Sequence, residues 1–268
     1  MDPSLPRPDV LRLQHVLDQW QRWCPAPAQR PTPQETLSEG LSNHSVRVSD
    51  GRDQWVVRLD GLPPEPLGLN RALEYSALQK AAAHALAPAP VFQCADTGAL
   101  VCAYLPPDED QQHTPQQLAQ LLQRIHALPP LPAQLNVLAR AQRYLELAGG
   151  DVLPEPLRRA HARLGQLPVQ NTLCHNDLLA ANRLVSGGRL RALDWEYAAM
   201  GDPWFDLAVI VEGDAWTDAA TNTLLQSWLS RPPREEDVER LALQRTVYRE
   251  LAALWEGARI VLLAKATN

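Results

Sequence analysis

Apolar residues recur at three- and four-residue intervals over residues 9–23, where Val10, Leu13, Val16, Leu17 and Trp20 fall on one side of a predicted helix. The proline-rich run CPAPAQRPTP that follows cannot continue a helix and is expected to cross the surface extended. The period then changes to strict alternation over residues 45–49 and 54–59, flanking Asp50-Gly51, which predicts a β-hairpin. Helical spacing returns after Asn70, a candidate cap, with Leu73, Ala77, Leu78 and Ala81 on the apolar face. Short apolar runs on either side of Asp96-Thr97-Gly98 predict a second hairpin, and Pro106-Pro107 after it reads as a hinge. From Thr114 the pattern is helical. Thr114 caps and Pro115 opens one helix, and further helices are predicted over 135–148, 155–167, 203–212, 215–229 and 235–264.

The composition narrows the function. The chain has 268 residues, 45% hydrophobic and 21% charged, long enough for one large domain or two lobes. A formal net charge of −6 argues against a general nucleic-acid binder, which needs clustered Lys and Arg. Cys24, Cys94, Cys102 and Cys174 are dispersed without zinc-ligand spacing, and neither a leader-like amino terminus nor a membrane-length apolar run is present. A reduced, cytoplasmic chain is expected.

The candidate chemistry lies in residues 172–207, TLCHNDLLAANRLVSGGRLRALDWEYAAMGDPWFDL. Asp177 is followed five residues later by Asn182, and Asp194 ends the next predicted strand. That is the spacing of a phosphoryl-transfer centre, in which the first Asp orients the substrate hydroxyl and the Asn and second Asp hold Mg²⁺. Two carboxylates and an amide oxygen suit a hard cation that keeps several waters. Upstream, Gly40, Leu41, Ser42 and Asn43 form a small-residue turn whose backbone N–H groups suit a phosphate, and Arg58 ends a predicted strand.

HNDLLAAN followed by LDWEYAAMGDPWFDLA resembles the choline kinase and aminoglycoside phosphotransferase family, and the likeness runs through NRALE, ALAPAPVFQCADTGALVCAYLP and LLQRIHALP to cover about residues 36–260. The resemblance implies an α+β, protein-kinase-like two-lobe fold. Its expected divisions are an N-terminal helix and Pro-rich segment (1–35), a nucleotide-binding N-lobe (36–105) and a catalytic, substrate-binding C-lobe (106–268). It implies ATP and Mg²⁺ as cofactors, Asp177 as the catalytic Asp, and Asn182 and Asp194 as metal ligands, with Glu196 at the metal or substrate edge. Arg58 takes the place of the phosphate-pairing cation with Glu74 its helix partner, beside Gly40, Ser42 and Asn43. Ala103 and Leu105 bound a segment that offers backbone groups to the adenine. His175, Asp202 and Asp206 support the loop.

Within the family, Asp194-Trp-Glu-Tyr197 is nearer to the choline, ethanolamine and thiamine kinases than to the antibiotic kinases. Tyr197 and Trp255 are therefore expected to present aromatic faces to a cationic acceptor, an attraction of about 0.5–2 kcal/mol per face. Asp194, Glu196 and Glu256 add negative charge on that side. Choline kinases generally carry a second Trp one helical turn before the one matching Trp255, and Ala252 stands there. The expected function is phosphorylation of a hydroxyl on a small cationic metabolite. The alternatives are an amino-sugar or aminoglycoside kinase, and a nucleotide-binding pseudokinase serving as an interaction module.

Overall fold

The computed structural model describes residues 7–25, 29–39, 43–168 and 170–266. The chain packs as two compact units, residues 1–64 with 88–106, and residues 65–87 with 107–268.

The first unit is built on helix α1 (Arg7–Asp18) and strands β1 (Thr32–Glu39), β2 (Asn43–Ser49), β3 (Gln54–Asp60), β4 (Pro90–Gln93) and β5 (Leu100–Ala103). The strands form one five-stranded sheet in the order β1-β2-β3-β5-β4, each pair antiparallel. The β2–β3 turn closes because Asp50 Oδ1 accepts from the N–H groups of Arg52 (2.9 Å) and Asp53 (2.8 Å), while Gly51 takes φ +92°. Strand β1 starts inside the proline-rich stretch expected to cross the surface extended. It is an edge strand, and its register is broken after Pro33, which is where a strand tolerates a residue with no N–H.

The core of this unit joins α1 to the sheet. Leu13, Val16, Leu17 and Trp23 pack with Val46, Val48, Trp55, Val57, Leu59 and Val101, all buried. Trp23 meets Trp55 edge to face with centroids 5.4 Å apart. The three- and four-residue spacing at the chain's start thus reflects a stripe buried against β3 and its neighbours.

The second unit contains α2 (Pro64–Leu67, which begins at the unit boundary), α3 (Arg71–Ala83), α4 (Pro115–His126), α5 (Val137–Leu147), α6 (Glu155–Leu164), α7 (Trp204–Gly213), α8 (Asp218–Leu229) and α9 (Glu235–Ala266). Four short strands form two antiparallel pairs, β6 (Thr172–Cys174) with β9 (Ala199–Gly201), and β7 (Arg183–Ser186) with β8 (Arg189–Ala192). The caps follow the sequence. Asn70 Oδ1 accepts from Ala72 and Leu73 N–H, and Thr114 and Gln117 close a reciprocal capping box on α4. Helix α9 runs 32 residues and packs against α5, α6 and α7. Helix α7 is buried along most of its length, and among the described residues no helix is long and apolar enough to cross a membrane.

If α1 is part of the sheet's core, Leu17→Ala should cost about 2–5 kcal/mol, as for a buried Leu that leaves a cavity. Thermal or urea unfolding measures this, and an unchanged midpoint would detach α1 from the core.

Candidate active site

The loop between β6 and β7 carries the candidate acid, and one buried carboxylate shapes it. Asp206, in the first turn of α7 and without solvent exposure, accepts from the backbone N–H of His175 at 3.0 Å and of Asn176 at 2.6 Å. His126, at the end of α4, lies 3.0 Å from the same carboxylate through Nε2, while its Nδ1 accepts from Trp228 Nε1 at 3.3 Å. Asn176 turns the chain with φ +65°, a conformation Asn adopts more readily than most residues, and its side chain donates to the Tyr197 carbonyl at 3.0 Å. His175 is fully buried and held neutral. Burial lowers its proton affinity, outweighing the nearby Asp206. Its Nε2 donates to Leu193 O at 2.9 Å and its Nδ1 accepts from Asp177 N–H at 3.3 Å, so the ring spans the start of the loop and the approach to Asp194.

The far end of the loop is fixed by Arg183, the first residue of β7. Its Nε and Nη2 both donate to Leu178 O, at 3.1 and 2.7 Å, and Nη2 lies 2.6 Å from Asp214. Asp214 also accepts from Ala180 N–H at 3.0 Å. Gly213 lies against this corner, where a Cβ would fall 2.1 Å from Leu179 Cδ2 and the end of that side chain would have to shift.

Between these ends, Asn182 Nδ2 donates to the Asp177 carbonyl and to Asp177 Oδ2, each at 2.8 Å. The amide oxygen of Asn182 is thereby turned away from Asp177. Asp194 follows β8 with φ +56°, a left-handed conformation that Asp tolerates, and the next residue, Trp195, is buried with its Nε1 donating to Ala192 O. The proton affinity of Asp177 is raised well above the usual carboxylate range. Burial is the main cause, Asp194, Glu196 and Asp206 add to it, and the Asn182 bond opposes it. The acid thus sits where neighbouring carboxylates add to the cost of its charge, with the Asn182 amide beside it.

The other predicted residues are distributed as follows. Glu196 is buried and accepts from Arg71 Nη1 at 2.8 Å, and the same nitrogen donates to Glu74 Oε2 at 2.8 Å. Asp202 ties α7 to α9, since its Oδ2 accepts from Arg240 at 2.8 Å and Gln244 at 2.9 Å. Tyr197 Oη accepts from Trp255 Nε1 at 2.9 Å. Each of these rings has a guanidinium of the protein over it, Arg140 at 5.3 Å from the Tyr197 centroid and Arg259 at 5.9 Å from that of Trp255.

In the first unit, Arg58 is buried on β3, paired with Ser45 and Leu100, and Asn43 opens β2 opposite Asp60. Ala103 ends β5 and its N–H donates to Ala89 O at 2.8 Å. Gly40 and Ser42 lie outside the described residues.

Sequence reasoning had not singled out Arg71, Arg183 or Asp214. Arg183 directly follows Asn182, and Arg71 follows the helix cap, so position was the available signal for both. The bond of His126 to Asp206 is a long-range contact that periodicity does not report.

A model of the phosphotransferase enzyme family matches residues 33–254. Protein LicA of Haemophilus influenzae is 34% identical over 88 residues, 31% of this chain and 33% of the relative. The thiamine kinase of Escherichia coli is 28% identical over 184 residues, 66% of this chain and 65% of that one. The chain therefore spans about a third and just under two thirds, respectively, of these relatives. Among solved structures, the choline kinase LicA from Streptococcus pneumoniae superposes with a TM-score of 0.74 at 22% identity, covering 95% of this chain and 92% of that one, a likeness of fold. With a matched region that contains the whole Asp177–Asp206 stretch, this chain belongs to the phosphotransferase enzyme family.

Proposed function

We propose that the protein is an ATP- and Mg²⁺-dependent kinase that phosphorylates a hydroxyl of a small cationic metabolite, of the choline, ethanolamine or thiamine kind. The observation that carries this reading is the bond from Asn182 to Asp177 on a loop pinned at both ends, with Asp194 and Glu196 close enough to raise the acid's proton affinity. Asp177 orients the acceptor hydroxyl for in-line attack and takes up its proton as the new bond forms. The fixed loop contributes by positioning, because little covalent chemistry is asked of the protein in phosphoryl transfer. Asn182 Oδ1 and the Asp194 carboxylate would hold Mg²⁺, which when bound neutralises charge on the transferring phosphates. Arg58 serves the phosphates as a fixed cation, and the first unit supplies the nucleotide-binding residues. The acid cluster also favours a cation as acceptor. The proposed compartment is the cytoplasm, where ATP is available and four free thiols persist.

Coupled ADP release across choline, ethanolamine, thiamine, amino sugars and aminoglycosides tests the proposal. Acceptor-dependent release is the expected result, and preference for the amino sugars or aminoglycosides would move the assignment to that class of kinase. Nucleotide binding with no transfer to any acceptor would favour an interaction module.

Asp177→Asn should cut kcat by about 10²–10⁴, the range for loss of a general base, and leave nucleotide affinity intact. The same variant makes a stability prediction. With its proton affinity raised in the folded state, Asp177 keeps a proton at pH values where the unfolded chain has released it. Its ionisation therefore costs stability as pH rises through the folded value. Without magnesium, Asp177→Asn should melt no lower than wild type at neutral pH, and the difference should vanish below about pH 4, where both forms are uncharged. A lower neutral-pH Tm for the variant would contradict this.

Asp194→Ala should abolish the gain in nucleotide affinity brought by Mg²⁺, and Asn182→Ala should reduce it less, since a neutral amide attracts a cation less than a carboxylate does. Titrating nucleotide with and without magnesium measures both, and equal behaviour of Asp194→Ala and wild type would remove Asp194 from the metal. Arg58→Ala should raise nucleotide KM and lower kcat together, with partial recovery in Arg58→Lys, because Lys still meets phosphate as a point charge. Normal kinetics for Arg58→Ala would place the phosphate clamp elsewhere.

A further inference from the structure

The fold brings together three side chains that the sequence keeps apart. His15 lies on α1, while Cys94 and Asp96 lie at the turn between β4 and β5, all within the first unit. An imidazole nitrogen, the thiol Sγ and a carboxylate oxygen fall within 4.8 Å of one another, and His15 Nε2 stands 3.2 Å from Asp96 Oδ2. Around a tetrahedral zinc, with Zn–N and Zn–O near 2.0–2.2 Å and Zn–S near 2.3 Å, ligand atoms stand about 3.3–3.8 Å apart. The imidazole and carboxylate are already close to that spacing, and the thiol reaches it by a shift of about 1 Å or less.

Both supports of this cluster are fixed. Cys94 N–H donates to Ala99 O at 2.8 Å and Cys94 O accepts from Gly98 N–H at 2.9 Å, so the turn that carries Cys94 and Asp96 is closed, with Gly98 at φ +71°. On the other side, Leu13, Val16 and Leu17 are buried against the sheet, which holds the helix that carries His15. Cys94 is buried at the floor of the cluster, and His15 and Asp96 are exposed at its rim. An ion arriving from solvent therefore meets the imidazole and carboxylate before the thiol. The thiol is not enclosed by apolar groups alone, since Gln19, just beyond α1, donates to Cys94 Sγ through Nε2 at 3.5 Å.

We propose that His15, Cys94 and Asp96 form a zinc site, with water in the fourth position, that staples α1 to the β4–β5 turn. Imidazole, thiolate and carboxylate are ordinary ligands of zinc, and a thiolate does not suit Mg²⁺, which takes oxygen ligands. The thiol gives its proton to solvent as the Zn–S bond forms, so thiolate and carboxylate together meet the charge of the ion. His15 precedes the region matched to the phosphotransferase family, residues 33–254, so membership of that family does not imply the site. Asp177 and its neighbours belong to the second unit, and the zinc site is independent of the phosphotransferase reading.

The test titrates the full chain, first stripped of metal with a chelator, with Co²⁺, which replaces zinc and reports a bound thiolate by a charge-transfer band in the near ultraviolet. One equivalent of Co²⁺ should bind with that band, and Zn²⁺ should displace it. Cys94→Ser should abolish the band. His15→Ala and Asp96→Asn, both at exposed positions, should each weaken Zn²⁺ binding more than about tenfold, since loss of a direct ligand costs at least what loss of an outer partner does. Zn²⁺ should raise the Tm of wild type and leave that of His15→Ala where it is, because only a ligand that binds the folded state stabilises it. These exposed variants keep the test decisive if Cys94→Ser does not fold. A cobalt–thiolate band undiminished in His15→Ala, an equal rise in Tm for His15→Ala and wild type, or no binding of Co²⁺ or Zn²⁺ short of millimolar free metal would overturn the site.

Discussion

A single buried carboxylate sets the geometry on which the second unit depends. Asp206 has no contact with water, so its charge must be met inside the protein, and it is met by two successive backbone N–H groups and one imidazole. Those N–H groups belong to His175 and Asn176, so satisfying Asp206 fixes the backbone just before Asp177. The requirement also runs the other way. With Asn176 at positive φ, its N–H and that of His175 turn inward and would be buried without partners if Asp206 were absent. Fold and site thus share one set of hydrogen bonds.

Arginines complete the arrangement. Arg183 draws the loop's far end in by two bonds to one carbonyl and an ion pair to Asp214. Arg71 joins Glu74 to Glu196, and Arg240 joins α9 to Asp202. The planar fork of a guanidinium spans several acceptors from one stem, which suits it to such corners better than the point charge of Lys. Each guanidinium neutralises a carboxylate at the rim. Asp177 forms no such ion pair with a guanidinium among the described residues, and the acids near it raise its proton affinity.

The sequence shows much of this directly, and the limits have physical reasons. The order of strands and helices was legible because burial imposes a period on each element, and α1, β2, β3, α3 and α4 stand where alternation, helical spacing and caps put them. Strand β1 was not, because Pro33 and its polar neighbours carry no apolar alternation; it exists by pairing with β2 at the sheet's edge. The Asp177, Asn182 and Asp194 frame was legible because it is local in sequence. His126 and Arg71 join the site from 51 and 106 residues before Asp177 and look like ordinary helix residues until the helices pack. Tyr197 and Trp255 were identified as a pair, but the guanidiniums over them depend on side-chain directions that spacing does not specify.

The central claim is that this cluster of acids aims an acceptor oxygen at the terminal phosphorus of a nucleotide, and the path of that oxygen tests it most directly. The acceptor hydroxyl is labelled with ¹⁸O, the reaction is run with ATP and magnesium, and the products are read by ³¹P NMR. A phosphomonoester whose phosphorus signal carries the isotope shift of a bridging ¹⁸O is the result the account predicts. Inorganic phosphate alone, with oxygen taken from water and the labelled acceptor recovered unchanged, would contradict it.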